Sequence, residues 1–159
     1  MPNPYTTTDS TEVVANYLYT QLGVPANMAT FVDAGGTAIQ GVWYGDDSEL
    51  LPTTPCLCVV PGAERSVYQG SGGRPVMMTF TTFVMVYYGK LIDQQLNVHG
   101  SQQIANVVKK FVNADISLGG NVIDCYCTSL EPGVARRNGA QIDATRLTFT
   151  SRSKVLLNP

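Results

Sequence analysis

Apolar positions first recur at helical spacing near the start of the chain, at Val13, Val14, Tyr17, Leu18 and Leu22. Asp9 or Ser10 stands where a side-chain oxygen can accept from free backbone N–H groups. Glu12 falls in the first turn, and Gly23 with Pro25 stops the element. This pattern predicts a helix over 10–22, preceded by a loose Pro- and Thr-rich arm at 1–9. Between 26 and 55 every apolar run is broken by Gly35-Gly36, Gly41, Asp46-Asp47 or Pro52, which leaves room for one short strand at 37–44.

The period then changes. Cys56-Leu57-Cys58-Val59-Val60 reads as a strand that Pro61-Gly62 should end, because proline has no N–H to give to a ladder. Glu64 to Pro75, with Arg65-Ser66-Val67-Tyr68 and Gly70-Ser71-Gly72-Gly73, reads as an exposed loop or hairpin arm. Pro75 to Tyr88 is rich in Met, Thr, Phe, Val and Tyr and carries no charge, the strongest strand pattern in the chain. It exceeds the usual strand of about 5–6 residues, so it should bend or project. Ile104, Val107, Val108 and Phe111 make a second helical stripe, beginning at a Ser101 cap or as early as Leu91. Gly119-Gly120 introduces a strand at 122–130, Pro132 to Gly139 reads as a turn-rich loop, and 141–156 is a last long strand.

The order α-β-β-α-β-β predicts an α/β (α+β) fold: one domain over 10–159, with an antiparallel or mixed sheet of about four to five strands and two helices packed on one face. At 159 residues the chain is long enough to bury roughly two-thirds of its unfolded surface, so folding requires neither disulfide nor metal. No internal repeat is visible.

Charge adds a second layer. Only 14% of residues are charged, against about 25% in a typical soluble domain. Residues 1–64 hold seven acids (Asp9, Glu12, Asp33, Asp46, Asp47, Glu49, Glu64) and no base, whereas Arg136, Arg137, Arg146, Arg152 and Lys154 face only Asp143 after Pro132. Opposite charges segregated in this way suit a head-to-tail contact between copies. No apolar run approaches the roughly 18 residues of a membrane span, and Met1-Pro-Asn-Pro-Tyr-Thr lacks the features of an export signal. Synthesis in the cytoplasm is therefore expected, with Cys56, Cys58, Cys125 and Cys127 reduced.

Candidate chemistry is thin. Two Cys-x-Cys pairs offer four thiolates, but one intervening residue within a strand suits a packed core, with the pairs on neighbouring strands, better than a zinc turn. His99 is the only histidine and has no nucleophile elbow beside it. Gly70-Ser71-Gly72-Gly73-Arg74 lacks the Gly-Lys-Ser/Thr ending of a phosphate loop. Asp46-Asp47 with Glu49 does not follow the calcium-loop spacing. Arg136-Arg137 is too isolated, in a chain of isoelectric point near 5.2, for a dedicated nucleic-acid surface. The expectation is no catalytic, cofactor-binding or metal-binding residues, and no enzyme.

Several stretches in order resemble the tail terminator (tail completion) proteins of long-tailed bacteriophages. These are Pro55-Cys56-Leu57-Cys58-Val59-Val60-Pro61-Gly62, the Gly-rich arm with the long strand Met77–Tyr88, and Lys109-Lys110-Phe111-Val112. They continue with Asp115-Ile116-Ser117-Leu118-Gly119-Gly120-Asn121-Val122, Ser129-Leu130-Glu131-Pro132-Gly133 and Ala144-Thr145-Arg146-Leu147-Thr148-Phe149-Thr150. The resemblance implies a virion protein, assembled in the host cytoplasm, that forms a ring of six copies on the last tail-tube ring. Its partners would be other copies of itself, the tail tube protein and a neck or head-closure protein, with DNA passing through the lumen and no membrane. Asp46, Asp47, Glu49, Arg65, Arg74, Arg136, Arg137 and Arg152 are the candidate subunit-interface residues. The rival readings are another neck, head-tail joining or minor tail protein, and a ligand-binding domain or enzyme with a pocket around Cys125, Tyr126 and His99.

Overall fold

A computed structural model describes residues 8–45, 53–68, 75–89, 100–137 and 139–156. Its elements are α1 (Thr11–Leu22), α2 (Pro25–Met28), β1 (Gly41–Tyr44), β2 (Cys56–Tyr68), β3 (Pro75–Tyr87), α3 (Gly100–Asn113), β4 (Asp124–Arg137) and β5 (Ala140–Leu156). The five strands form one mixed sheet in the order β1-β2-β3-β5-β4, with β1 parallel to β2 and every other pair antiparallel. The α+β class and the strand number are those expected from the sequence. The four-residue α2, with Pro25 in its first turn, was not foreseen.

Ser10 caps α1, its side chain accepting from the Glu12 N–H at 3.1 Å. Glu64 reaches across from β2 to accept the Thr11 N–H at 2.6 Å, placing a carboxylate at the positive end of the helix. Val14, Ala15, Leu18 and Leu22 face inward, while Val13 of the predicted stripe is exposed. From α3, Ile104, Ala105, Val108 and Val112 enter the same core. They meet Leu57 and Val59 of β2, Phe80, Val84 and Val86 of β3, and Leu147 and Phe149 of β5. Phe31 and Phe111 close this layer edge to face at 5.3 Å.

Two strands are longer than the sequence predicts. β2 does not stop at Pro61-Gly62; it continues to Tyr68 through a register shift between Pro61 and Glu64. β1 lies only beside 56–59, so at Pro61 the missing N–H removes no bond to that neighbour. Gly62 fits because a Cβ there would come within 2.7 Å of the Thr81 carbonyl oxygen. Likewise Pro132 to Gly139 is not a loop: β4 runs to Arg137, with Pro132 opposite Thr145. β4 is an edge strand, where proline is tolerated, and the hairpin turns at Gly139, whose φ of 76° suits glycine.

The far side of the sheet has a smaller core. Cys56, Cys58, Tyr87, Ile142 and Ala144 are buried together, with Met85 and Ala135 against them. Ala135 belongs to β4 and Cys56 to β2, two strands lying between, so the sheet curls on itself at this end. Arg137 completes the curl by donating from Nη1 to Thr54 Oγ1 at 3.0 Å.

Candidate assembly surface

Beyond that small core, no helix among the described residues covers the far face. β3 presents Thr79, Thr81 and Phe83, β5 presents Arg146, Thr148, Thr150 and Arg152, and β4 presents Tyr126 and Glu131. Arg146 lies over the Phe83 ring at 5.3 Å from its centroid and donates to Glu131 at 2.7 Å. Ser129 donates to the same carboxylate, and these two bonds, Ser129 first, hold the Glu131 carboxyl below its usual value. Arg152 grips Asp124 through Nε, at 2.9 and 3.1 Å, and through Nη2, which raises the Arg152 pKa. The exposed Arg146–Glu131 pair contributes little stability, whereas Asp124 is buried beside Arg152, and both pairs orient their guanidinium planes across the ladder.

The predicted interface residues divide into three groups. Asp46, Asp47, Glu49 and Arg74 lie outside the described residues, as do His99 and the Gly70–Gly73 segment. Arg65, opposite Thr79, and Arg136, opposite Gln141, are exposed on strands. Arg137 and Arg152 have the partners inside the chain described above. Arg65 and Arg152 stand on the uncovered face, on either side of Thr79.

The cysteines do not converge. Cys56 and Cys58 belong to the far-side core, whereas Cys125 and Cys127 face the helices. The pairs are not on neighbouring strands as expected, because β3 and β5 separate β2 from β4. Burial, aided by Asp124 and Cys127, pushes the Cys125 thiol up to about 12, while the Cys58 hydrogen bond and then Arg137 lower that of Cys56 against burial. Cys125 is buried and Tyr126 exposed on the opposite face, so these two side chains do not line one pocket. A depression of about 220 Å³ between α1 and α3 is lined by Tyr17, Leu18, Gln21, Phe111, Val112 and Asp115, among others.

Sequence reasoning missed the polar groups that hold the helices to the sheet. Ser101 does not cap α3 but lies in its first turn, where the buried Asp143 of β5 accepts its N–H at 3.0 Å and its hydroxyl at 2.8 Å. Thr145 Oγ1 lies 2.8 Å from the same hydroxyl. A lone aspartate inside an apolar strand pattern was the available signal, since buried carboxylates require partners.

Nearby, the Tyr88 hydroxyl donates to Asp33, and this bond, with burial, pushes the tyrosine up to about 12 from 10.0. The folded state therefore holds this proton more tightly than the unfolded chain. Its contribution is complete below about pH 10 and is lost as pH rises toward about 12. Denaturant titrations at about pH 9 and about pH 11.5 should show stability falling, with a smaller fall in Tyr88→Phe.

Among the described residues, no helix is long and apolar enough to cross a membrane, and no cluster of three or more His, Cys, Asp or Glu side chains is placed to hold a metal. No protein-family model matches the chain, and no curated protein matches its sequence.

Proposed function

We propose that this chain is the repeating subunit of a ring at the head-proximal end of a bacteriophage tail, a tail terminator that stops tube growth and joins the tail to the neck. The observation that carries this reading is a sheet larger than the helix layer it supports. β2, β3, β4 and β5 span 13, 13, 14 and 17 residues, against the usual 5–6 or so. Among the described residues the helices cover only one face, and Val67 and Val134, both more than half exposed, lie toward the ends of the β2–β3 and β4–β5 hairpins. Monomers seldom leave long strands and apolar side chains uncovered in this way. The ordered resemblance to tail terminators specifies which assembly is meant. A lumen for sliding DNA calls for sparse positive charge, and the uncovered face carries arginines partly neutralised by Asp124 and Glu131.

Mass measurement of the full chain, alone and with purified tail tubes, tests the proposal. The expected species is a ring of about six 17.1-kDa copies that binds tube ends. A protein that stays monomeric at about 100 µM, well above common assembly affinities, and ignores tube ends would overturn it.

A further inference from the structure

Three sulfur side chains meet on the far face of the sheet. Cys56 and Cys58 are two residues apart on β2, so both thiols point to that face, and both are fully buried. Cys58 is hydrogen-bonded to Cys56, which brings the two sulfurs together. Met85 stands opposite Cys58 on β3, where facing side chains start only about 4.5–5.5 Å apart, and it packs against the same small core. The guanidinium of Arg137, which also bonds Thr54, adds positive charge beside Cys56. Of the three sulfur residues only Met85 is partly exposed, and it lines, with Gly133, Ala144 and Arg146, a depression of about 320 Å³.

We infer that Cys56, Cys58 and Met85 form a binding site for one copper(I) ion, with the Met85 side of the cluster as its way in. Thiolate and thioether sulfur select Cu(I), a soft cation that is satisfied by few ligands of this kind. Zinc wants four donors of its own, and among the described residues no group of three or more His, Cys, Asp or Glu is placed to supply them. On binding, the two thiol protons leave to solvent, two sulfur–copper bonds form, and the Met85 sulfur adds a lone pair; nothing is oxidised or reduced. The bis-thiolate copper unit carries a single negative charge, which the Arg137 guanidinium offsets. Cys125 and Cys127 share the spacing but not the surroundings. Cys127 Sγ donates to the Ser129 carbonyl at 3.3 Å, the charge of Asp124 opposes a thiolate at Cys125, and the residues opposite the pair on β5 are Ser151 and Phe149, which bring no third sulfur.

The site is independent of the ring reading, and so is its test. In anaerobic titration of the full chain with Cu(I), against a chromophoric Cu(I) chelator, one ion per chain should bind. X-ray absorption should find three sulfur neighbours and no nitrogen or oxygen, and the single indole N–H resonance, from Trp43 opposite Cys58 on β1, should shift. A Cys125→Ser, Cys127→Ser chain should bind equally well, whereas Cys56→Ser and Cys58→Ser should each abolish tight binding. Serine in a packed core lowers stability, so circular dichroism must verify that these two variants fold. Met85→Leu decides the matter even if they do not, because this swap conserves volume. It should leave one ion with two sulfur neighbours, held more weakly by at least the roughly 10-fold that loss of a mere supporting group costs a metal site. The inference is overturned if the wild-type chain takes up no Cu(I), if folded Cys56→Ser binds as well as wild type, or if binding depends on Cys125 or Cys127. Three sulfur neighbours persisting in Met85→Leu, or displacement of the copper by Zn(II), would overturn it equally.

Discussion

Replacing Asp143 with alanine should lower the unfolding free energy by about 3 kcal/mol, a melting-temperature drop of roughly 6–12 °C for a domain of this size. Its carboxylate is 1% exposed and is the acceptor for both the Ser101 N–H and the Ser101 hydroxyl, themselves fully buried. Truncation removes a charged acceptor from two donors that no water replaces, and such bonds are worth about 1.5–3 kcal/mol each with strong non-additivity. It also takes negative charge from the start of α3, where the helix dipole favours it. Asp143→Asn separates hydrogen bonding from volume. It keeps the shape and one acceptor oxygen, so its cost should be about half as large. Equal losses in chemical denaturation would show that the two bonds contribute nothing separable.

Gly100→Ala should be nearly as damaging, at about 2–4 kcal/mol, although alanine normally favours helices. A Cβ at Gly100 would land on the Tyr88 ring, and neither backbone can retreat. The helix start is tied to β5 through Ser101 and Asp143, and the Tyr88 N–H donates to the Asp143 carbonyl at 2.9 Å. The ring must therefore swing away and release Asp33. The same substitution in a Tyr88→Ala background should be neutral or slightly stabilising, because only the helix preference of alanine remains. A double-mutant cycle with a coupling energy near zero would sink this account.

Both effects arise from contacts between distant parts of the chain, which explains why neither was legible in the sequence. α1 and α3 could be read because each buries one face of a regular helix. β3 and β5 could be read because long apolar alternation has no other outlet. The second halves of β2 and β4 could not, because the rule that proline ends a strand holds only where a neighbour needs its N–H. Pro61 lies beyond the reach of β1, and Pro132 lies on the edge of the sheet. The candidate surface was legible to a smaller degree. Basic character near the C-terminus was visible as composition, but the pairing of Arg152 with Asp124 and of Arg146 with Glu131 is set by the β4–β5 register. The cysteine spacing suggested packed strands, yet only the sheet order reveals that the two pairs occupy opposite faces.

The position of β5 bears on how the chain is made. It is the last of the five strands to leave the ribosome, yet it lies between β3 and β4, and its Ser153 hydroxyl bonds the carbonyl of Thr8, 145 residues earlier. Until it arrives, β3 and β4 each lack a neighbour, and the helix layer lacks Leu147, Phe149 and the Asp143 anchor. The nascent chain therefore cannot lock into its fold piece by piece from the N-terminus. Long-range pairings of this kind are slow to form and leave sticky intermediates. A chain that stops short of β5 is an unfinished sheet with two open sides instead of a smaller domain, and its unpaired strand edges would build aggregates.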